Sequence, residues 1–388
     1  MFIPTQAAAM QQLGEFLPRA GQAYTSNRNY DYGPDRRDNV SQLSPWLRIR
    51  LLPEWTVLSA VLHKHSASAA SKFIDEVCWR TYWKGWLETH PAVWDDYQQQ
   101  LEIDLAQQSK NSIYWAVLQA KSHIDCLNLW TNELITTGYL HNHARMWFAS
   151  IWIHTLKLPW TLGAAFFHQH LLDGDAASNT LSWRWVAGLH TAGKMYLARA
   201  ENIKKFTAGR ICTTAQLATD AVQPNSHSTQ PLPVALKKTN TAPSSGRIGL
   251  LLGEDDLSAA DWLPQQANIC SVAGLIPKIA YSAHGISDRV YQFRWACLQQ
   301  ALPDINRIFS EVSAVVTWAI EQQVQAVCLA EPSVGLWNQV TPQLRAALSS
   351  HNIQLVSIRS DYDQHFYPAA HSGFFRFKKA IPALLERL

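Results

Sequence analysis

The chain holds six cysteines, and none forms a C-x-x-C pair. Cys78, Cys126, Cys212, Cys270, Cys297 and Cys328 are too scattered for a zinc ribbon, a redox dithiol or an iron–sulfur site. Spaced this widely they read as free thiols of a reducing cytoplasm. The first ten residues lack a basic n-region before an apolar stretch, so no secretory leader is read. Long apolar runs are missing as well. Residues 248–252 are typical, and they fall far short of a membrane span. Strong charge of one sign is also absent. A net +3 over 388 residues excludes a purely electrostatic nucleic-acid binder and leaves room for a local basic groove. No G-x-G-x-x-G follows a strand-like run, and no acids sit at EF-hand spacing. These absences predict a cytoplasmic, soluble monomer with no metal site.

What is there is tryptophan. Thirteen of the 17 lie in residues 1–210. With 47% hydrophobic residues, the chain has material for packed cores, and its length points to about two domains. Residues 1–210 read as all-α. Phe73, Val77, Trp79, Trp83 and Trp86 recur mostly at spacings of three to four, and residues 127–134 and 144–156 behave alike. Pro45, Pro53, Pro91 and Pro159 mark helix starts or breaks. Residues 211–246 are rich in Ser, Thr, Asn and Pro and predict a flexible linker. Residues 247–388 alternate: strands over 247–252, 326–330 and 353–358, helices over 288–302, 312–323 and 335–349. That alternation predicts an open α/β sheet of Rossmann-like type.

Three constellations stand out. Glu76, Trp79, Arg80 and Trp83 share one helix face. Read by itself this is a core stripe with a surface ion pair. In His141-Asn142-His143, the two histidines project about 200° apart on a helix and cannot chelate one ion; His168 and His170 behave likewise. Asp173-Gly174-Asp175 reads by itself as a turn and helix cap.

Together the motifs carry more. The series is Ser41-Gln42-Leu43-Ser44-Pro45-Trp46-Leu47, then Glu76, Trp79 and Arg80. After it come residues 138–146, Trp160, Asp173-Gly174-Asp175, Asn179, Trp183 and Trp185. Its order resembles the FAD-binding helical domain of the photolyase/cryptochrome family, over about residues 10–210. The resemblance implies that Ser41, Leu43 and Ser44 cradle the FAD phosphates, helped by a tyrosine near Tyr30 or Tyr32 and by Arg80. It implies that Arg145 and Asp173 pair beside the flavin, with Asp175 on its ring or ribityl side and Asn179 facing N5.

The resemblance also implies a substrate, a cyclobutane pyrimidine dimer flipped out of single-stranded or duplex DNA. Trp79 and Trp185 would clamp the dimer, Glu76 and Asn142 would bond its edges, and Met146 would line the pocket. The (6-4) photoproduct enzymes carry histidines where Asn142 and Met146 stand. Trp183 and Trp160 match the first two members of the photoreducing tryptophan chain. Trp115, Trp147 and Trp152 are open alternatives for the third.

The chain departs from the family at Val40, usually a serine or threonine, and at Gln42, usually an arginine. The family's α/β antenna domain precedes the helical one, whereas here an α/β half follows it. Residues 250–257, 366–368 and 373–379 resemble that antenna domain weakly, which suggests the same two modules in swapped order. The alternative is an unrelated Rossmann-like domain, and no antenna chromophore is identified. A blue-light photoreceptor of the cryptochrome type, without repair, is the alternative function.

Overall fold

The structure, a computed structural model, describes residues 2–190, 195–222, 232–263, 267–302 and 304–387. The first half is helical: α1 (Gln6–Phe16), α2 (Gln22–Asn27), α3 (Ser44–Arg48), α4 (Glu54–Lys64), α5 (Ser71–Thr89), α6 (Ala92–Gln108), α7 (Ser112–Leu118), α8 (Asp125–Thr137), α9 (Asn142–Ser150), α10 (Trp160–His170), α11 (Ala176–Val186) and α12 (Ala200–Phe206). The predicted proline boundaries are where helices begin. Pro53, Pro91 and Pro159 directly precede α4, α6 and α10, and Pro45 lies in the first turn of α3. Asn111 caps α7, accepting from the Ile113 amide at 2.9 Å. Gly138 closes α8 in the left-handed conformation, φ 70°. A π-helical turn, Ile151–Thr155, extends α9.

The second half holds β1 (Ile248–Gly253), α13 (Ala259–Trp262), β2 (Ile269–Leu275), α14 (Lys278–Ala283), α15 (Asp288–Ala301), β3 (Ile308–Phe309), α16 (Val312–Glu321), β4 (Ala326–Ala330), α17 (Trp337–Ser349), β5 (Gln354–Ile358), α18 (Asp361–Phe366) and α19 (Phe374–Leu385). The strands form one parallel sheet in the order β3-β2-β1-β4-β5. The strand order reverses at β1, which lies between β2 and β4. The patterning predicts β1, β4 and β5 but misses β2 and β3. Ser271 and Gly274 interrupt the apolar run of β2, and β3 is two residues long.

The connecting stretch has no helix or strand among its described residues, yet it is tied down. The Val234 amide donates to the Thr89 carbonyl at 2.7 Å, and the Asn240 amide to the Ser357 carbonyl at 3.3 Å. Residues 223–231 lie outside the described part.

The two halves meet along a buried polar seam. Arg50 donates to Glu54 (2.9 Å), Asp256 (2.9 Å) and both oxygens of Asp363 (2.7 and 2.6 Å). Arg359 pairs with Glu88 at 2.5 Å, and the hydroxyls of Thr81 and Tyr362 share a hydrogen bond at 2.9 Å. Burial dominates at Glu88 and outweighs Arg359, pushing its carboxyl up to about 7. At Asp363 burial works the other way from Arg50, and Arg50 wins, holding the carboxyl below its usual range.

The two shifts have opposite signs in stability. Asp363 contributes fully above the usual carboxylate range and loses its contribution as pH falls through it. Glu88 binds its proton more tightly in the fold than in the unfolded chain, so its contribution is fully present below that range and is lost as pH rises toward about 7. We expect the thermal midpoint to peak near about pH 5 and fall on both sides, with Glu88→Gln flattening the higher-pH arm. Melting curves across a buffer series check this. An unchanged upper arm in the variant would remove Glu88 as its cause.

Candidate functional site

Helix α11 packs against both α5 and α9, which brings together three stretches remote in sequence. The centre of the cluster is a bidentate ion pair. Arg145 donates to the two oxygens of Asp173 at 3.0 and 2.8 Å, and its Nε donates to the Leu140 carbonyl at 2.9 Å. The Arg145 guanidinium lies 5.3 Å from the centre of the Tyr139 ring. Burial opposes ionisation of Asp173, but Arg145 and then Arg80 outweigh it and hold the carboxyl low; the Ser44 hydroxyl also bonds it. Arg80 pairs with Asp175. Asp175 also caps α11, accepting from the Ser178 amide at 2.7 Å. Its carboxyl is likewise held low, against burial, by Arg80 and then Arg48.

Ser41 and Ser44 flank a tight turn in which Gln42 adopts a left-handed φ of 55°. The Leu43 amide points to the Ser41 hydroxyl at 3.5 Å, and Ser44 begins α3. Tyr30 and Tyr32 stack on each other (5.6 Å, 7°), and Tyr30 also packs against Phe206 of α12. The Asn39 amide donates to the Tyr30 carbonyl at 2.8 Å and ties this stack to the chain leading into the turn. Asn179 is buried and its amide donates to the Ala164 carbonyl at 2.7 Å. Ser178, its neighbour, has a buried hydroxyl with no hydrogen-bond partner among the described residues.

Toward solvent, Glu76 keeps 41% of its side chain exposed and sits 4.0 Å from Arg28. Local desolvation raises its carboxyl; Arg28 pulls it back and Asp75 adds to the rise. Asn142 is exposed at the start of α9, and Met146 is half-buried. Trp185 is half-buried near Tyr196, with ring centres 6.1 Å apart. Trp79 differs from its expected open clamp. Phe374, the first residue of α19, stacks face to face on it at 3.4 Å and 8°. One face of Trp79 is therefore filled by the α/β half, because an aromatic pair buries more apolar surface than either ring alone.

The tryptophan path also differs from its sequence pattern. Trp183 is buried against α10, where Gly163 leaves the room; a Cβ there would collide with the indole. Its ring neighbours are Phe167 (5.0 Å), Trp152 (6.2 Å) and Phe148 (6.3 Å). Trp160 packs instead on Tyr97 at 5.5 Å, with Arg184 over its ring. From Trp152 a line of rings continues to Tyr114 (6.0 Å) and then Trp115 (5.3 Å), which is 46% exposed. Trp147 stacks on Trp130 and His143, away from this line.

Sequence reasoning missed the groups that hold the Asp173-Gly174-Asp175 turn. The Gly174 carbonyl accepts from Arg48 at 3.0 Å and from Arg294 at 2.7 Å. Arg294 is anchored by Glu254 at 2.9 Å. No local motif announces this grip, since Arg294 and Glu254 come from the other half. His141 caps α9, its Nδ1 accepting from the His143 amide at 3.1 Å. Among the described residues no cluster of three or more His, Cys, Asp or Glu side chains is arranged to hold a metal, and no helix is long and apolar enough to cross a membrane.

Known proteins match part of this chain. Residues 73–209 match a protein-family model described as the FAD binding domain of DNA photolyase. A deoxyribodipyrimidine photo-lyase of Synechococcus sp. is 29% identical over 214 residues, covering 53% of this chain and 43% of that protein. The structure of a bacterial class III photolyase from Agrobacterium tumefaciens aligns with a TM-score of 0.44 at 23% identity, covering 53% of this chain and 43% of the other. A Synechocystis sp. PCC6803 cryptochrome aligns with a TM-score of 0.45 at 20% identity and the same coverage. The chain thus spans less than half the length of the relatives it matches.

Proposed function

We propose, from the premise that this chain belongs to the photolyase/cryptochrome family through its helical half, that it is a light-driven DNA repair flavoprotein acting on cyclobutane pyrimidine dimers. The observation that carries the reading is the cluster of Arg145–Asp173, Arg80–Asp175 and Ser44, drawn from α3, α5, α9 and the turn before α11. The donor set fits FAD. The Arg80 guanidinium and the Ser41 and Ser44 hydroxyls suit a pyrophosphate, and the Arg145–Asp173 pair suits the ring side. The unpartnered Ser178 hydroxyl beside Asn179 is a polar atom such a ligand can satisfy.

Arg80, Arg145, Ser41, Leu43, Ser44, Asp173, Asp175 and Asn179 would hold the cofactor, with Tyr30 at the edge. When bound, reduced FAD would supply the photoexcited electron that splits the cyclobutane ring and would take it back afterwards. The chain's own residues do the rest. Arg145 is held charged by Asp173, so the field at the ring side is fixed in advance. Asn179 is locked by its bond to Ala164 and presents a set orientation.

At the lesion, Glu76 and Asn142 bond the pyrimidine edges, Met146 lines the wall, and Trp79 and Trp185 bracket the dimer. A Glu76 that keeps its proton donates to a pyrimidine carbonyl as negative charge builds there. Trp183 would pass electrons inward to the cofactor, as the photoreducing role of this tryptophan chain requires. The Trp152–Tyr114–Trp115 line is the route we assign to the surface, with Trp160 beside it. The α/β half reads as the family's antenna module in swapped order, without an assigned chromophore.

We expect Glu76→Ala to lower dimer repair by about 10²-fold and Glu76→Gln, which keeps a donor, to retain more. Both should leave flavin photoreduction unchanged. Absorption spectra before and after blue light, with loss of dimers from single-stranded and duplex oligonucleotides, measure the two readouts. A flavin that photoreduces while dimers persist in both substrates defeats the repair reading. A second reading, a photoreceptor without repair, is favoured by one observation: Phe374 already fills a stacking face of Trp79.

A further inference from the structure

Helix α19 lies along the flank of α5 that carries Glu76 and Trp79. Phe374 stacks on Trp79, and Lys378 pairs with Asp75, the residue beside Glu76. Phe374, Phe377, Ile381 and Leu384 form the buried face of α19. The opposite face carries Phe375, Arg376 and Lys379 in the open. Phe375 is 81% exposed, and no acidic residue lies within α19 itself. Phe375 thus presents a bare ring beside two cations. Stacking on an exposed ring next to fixed positive charge is how single-stranded nucleic acid is held without sequence readout.

We propose that this outer face of α19 binds the single DNA strand flanking the lesion, with a base stacked on Phe375 and backbone phosphates on Arg376 and Lys379. The proposal rests on the repair reading above, because the pocket beside α19 is the one assigned to the lesion. Charge complementarity selects the occupant: within α19 the exposed charged side chains are Arg376 and Lys379, and Lys378 is already spent on Asp75. The α/β half would thereby contribute to a DNA site otherwise built from the helical half.

The test uses the full chain and a fluorescein-labelled, undamaged oligothymidylate, with anisotropy read across a salt series. Phe375→Ala should weaken binding about fivefold to a hundredfold. Arg376→Ala with Lys379→Ala should lower the slope of log affinity against log salt by about 1.4, two phosphates' worth for a single strand. Far-UV circular dichroism checks that these surface variants stay folded. Wild-type protein that binds the strand, with variants that bind it equally well at every salt concentration, overturns this inference alone. Wild-type protein that binds neither this strand nor a dimer-containing one overturns it together with the repair reading. A dimer in solution that Phe375→Ala dissociates, with DNA affinity unchanged, also overturns it and gives the face to a second copy of the chain.

Discussion

Replacing Arg50 with alanine should cost about 3–5 kcal/mol of stability, the largest effect expected of any single substitution along the seam. The guanidinium is the common partner of Glu54, Asp256 and Asp363, and all four groups are buried. One cation thus faces three carboxylates, and its removal leaves charge in a site that water does not reach. Burial already pushes Asp256 up, against Arg50 and the Ser258 hydroxyl, so the variant will bind additional protons there. Arg50→Lys should recover only part of the loss, because an ammonium cannot bridge both oxygens of Asp363 as the planar fork does. Urea unfolding near neutral pH measures both variants. Because Arg50 lies in the helical half and two of its partners in the other, a first transition confined to one half is the expected form of failure. A melt within about 1 kcal/mol of wild type would mean that relaxation or water repairs the seam.

Arg145→Ala should abolish flavin retention and also destabilise the helical half by about 3 kcal/mol. Asp173 would lose its bidentate partner, leaving Arg80 as the nearest cation, and its carboxyl would move up as burial takes over. The turn that carries Asp173 and Asp175 would then be held mainly through Gly174 by Arg48 and Arg294. Arg145→Lys should not restore the site, because the fork geometry and the contact over Tyr139 both belong to arginine. The ratio of absorbance at the flavin band to that of protein, read beside a thermal melt, separates cofactor loss from unfolding. Retention of flavin at the wild-type ratio would show that the Arg145–Asp173 pair is not its anchor.

Much of the architecture was legible before the fold was known, for local reasons. Helix α5 announces itself by spacing, its tryptophans recurring every three to four residues, although the structure buries it on nearly every side. The prolines before α4, α6 and α10 have no amide hydrogen to lose and mark the starts of those helices. Strand β4 runs over Ala326–Ala330, as its unbroken apolar run predicts for a parallel strand covered on both faces. Strand β2 escaped because Ser271 and Gly274 fit against Trp318 and Leu298, partners that the local sequence does not name.

The site divides in the same way. Arg145 and Asp173, 28 positions apart, were paired only through the resemblance to the photolyase/cryptochrome family, since each constellation read by itself pointed elsewhere. Three things were decided only in three dimensions. Arg294 grips Gly174 across 120 positions, Arg50 joins Asp363 across 313, and Phe374 lies on Trp79. Each is a contact between halves, set by how the two modules dock and not by any periodicity in either. The tryptophan surplus behaves likewise. Its clustering in residues 1–210 was visible as composition, but which rings touch depends on helix crossings. Trp183 was readable as a motif position, whereas its meeting with Trp152, and the continuation to exposed Trp115, required α10, α11 and the π-helical turn to pack. The sequence by itself determined the helical content of the first half and the class of the sheet. The tertiary structure decided how the α/β half closes on the helical half, because burial and ion pairing between distant segments depend on the whole path of the chain.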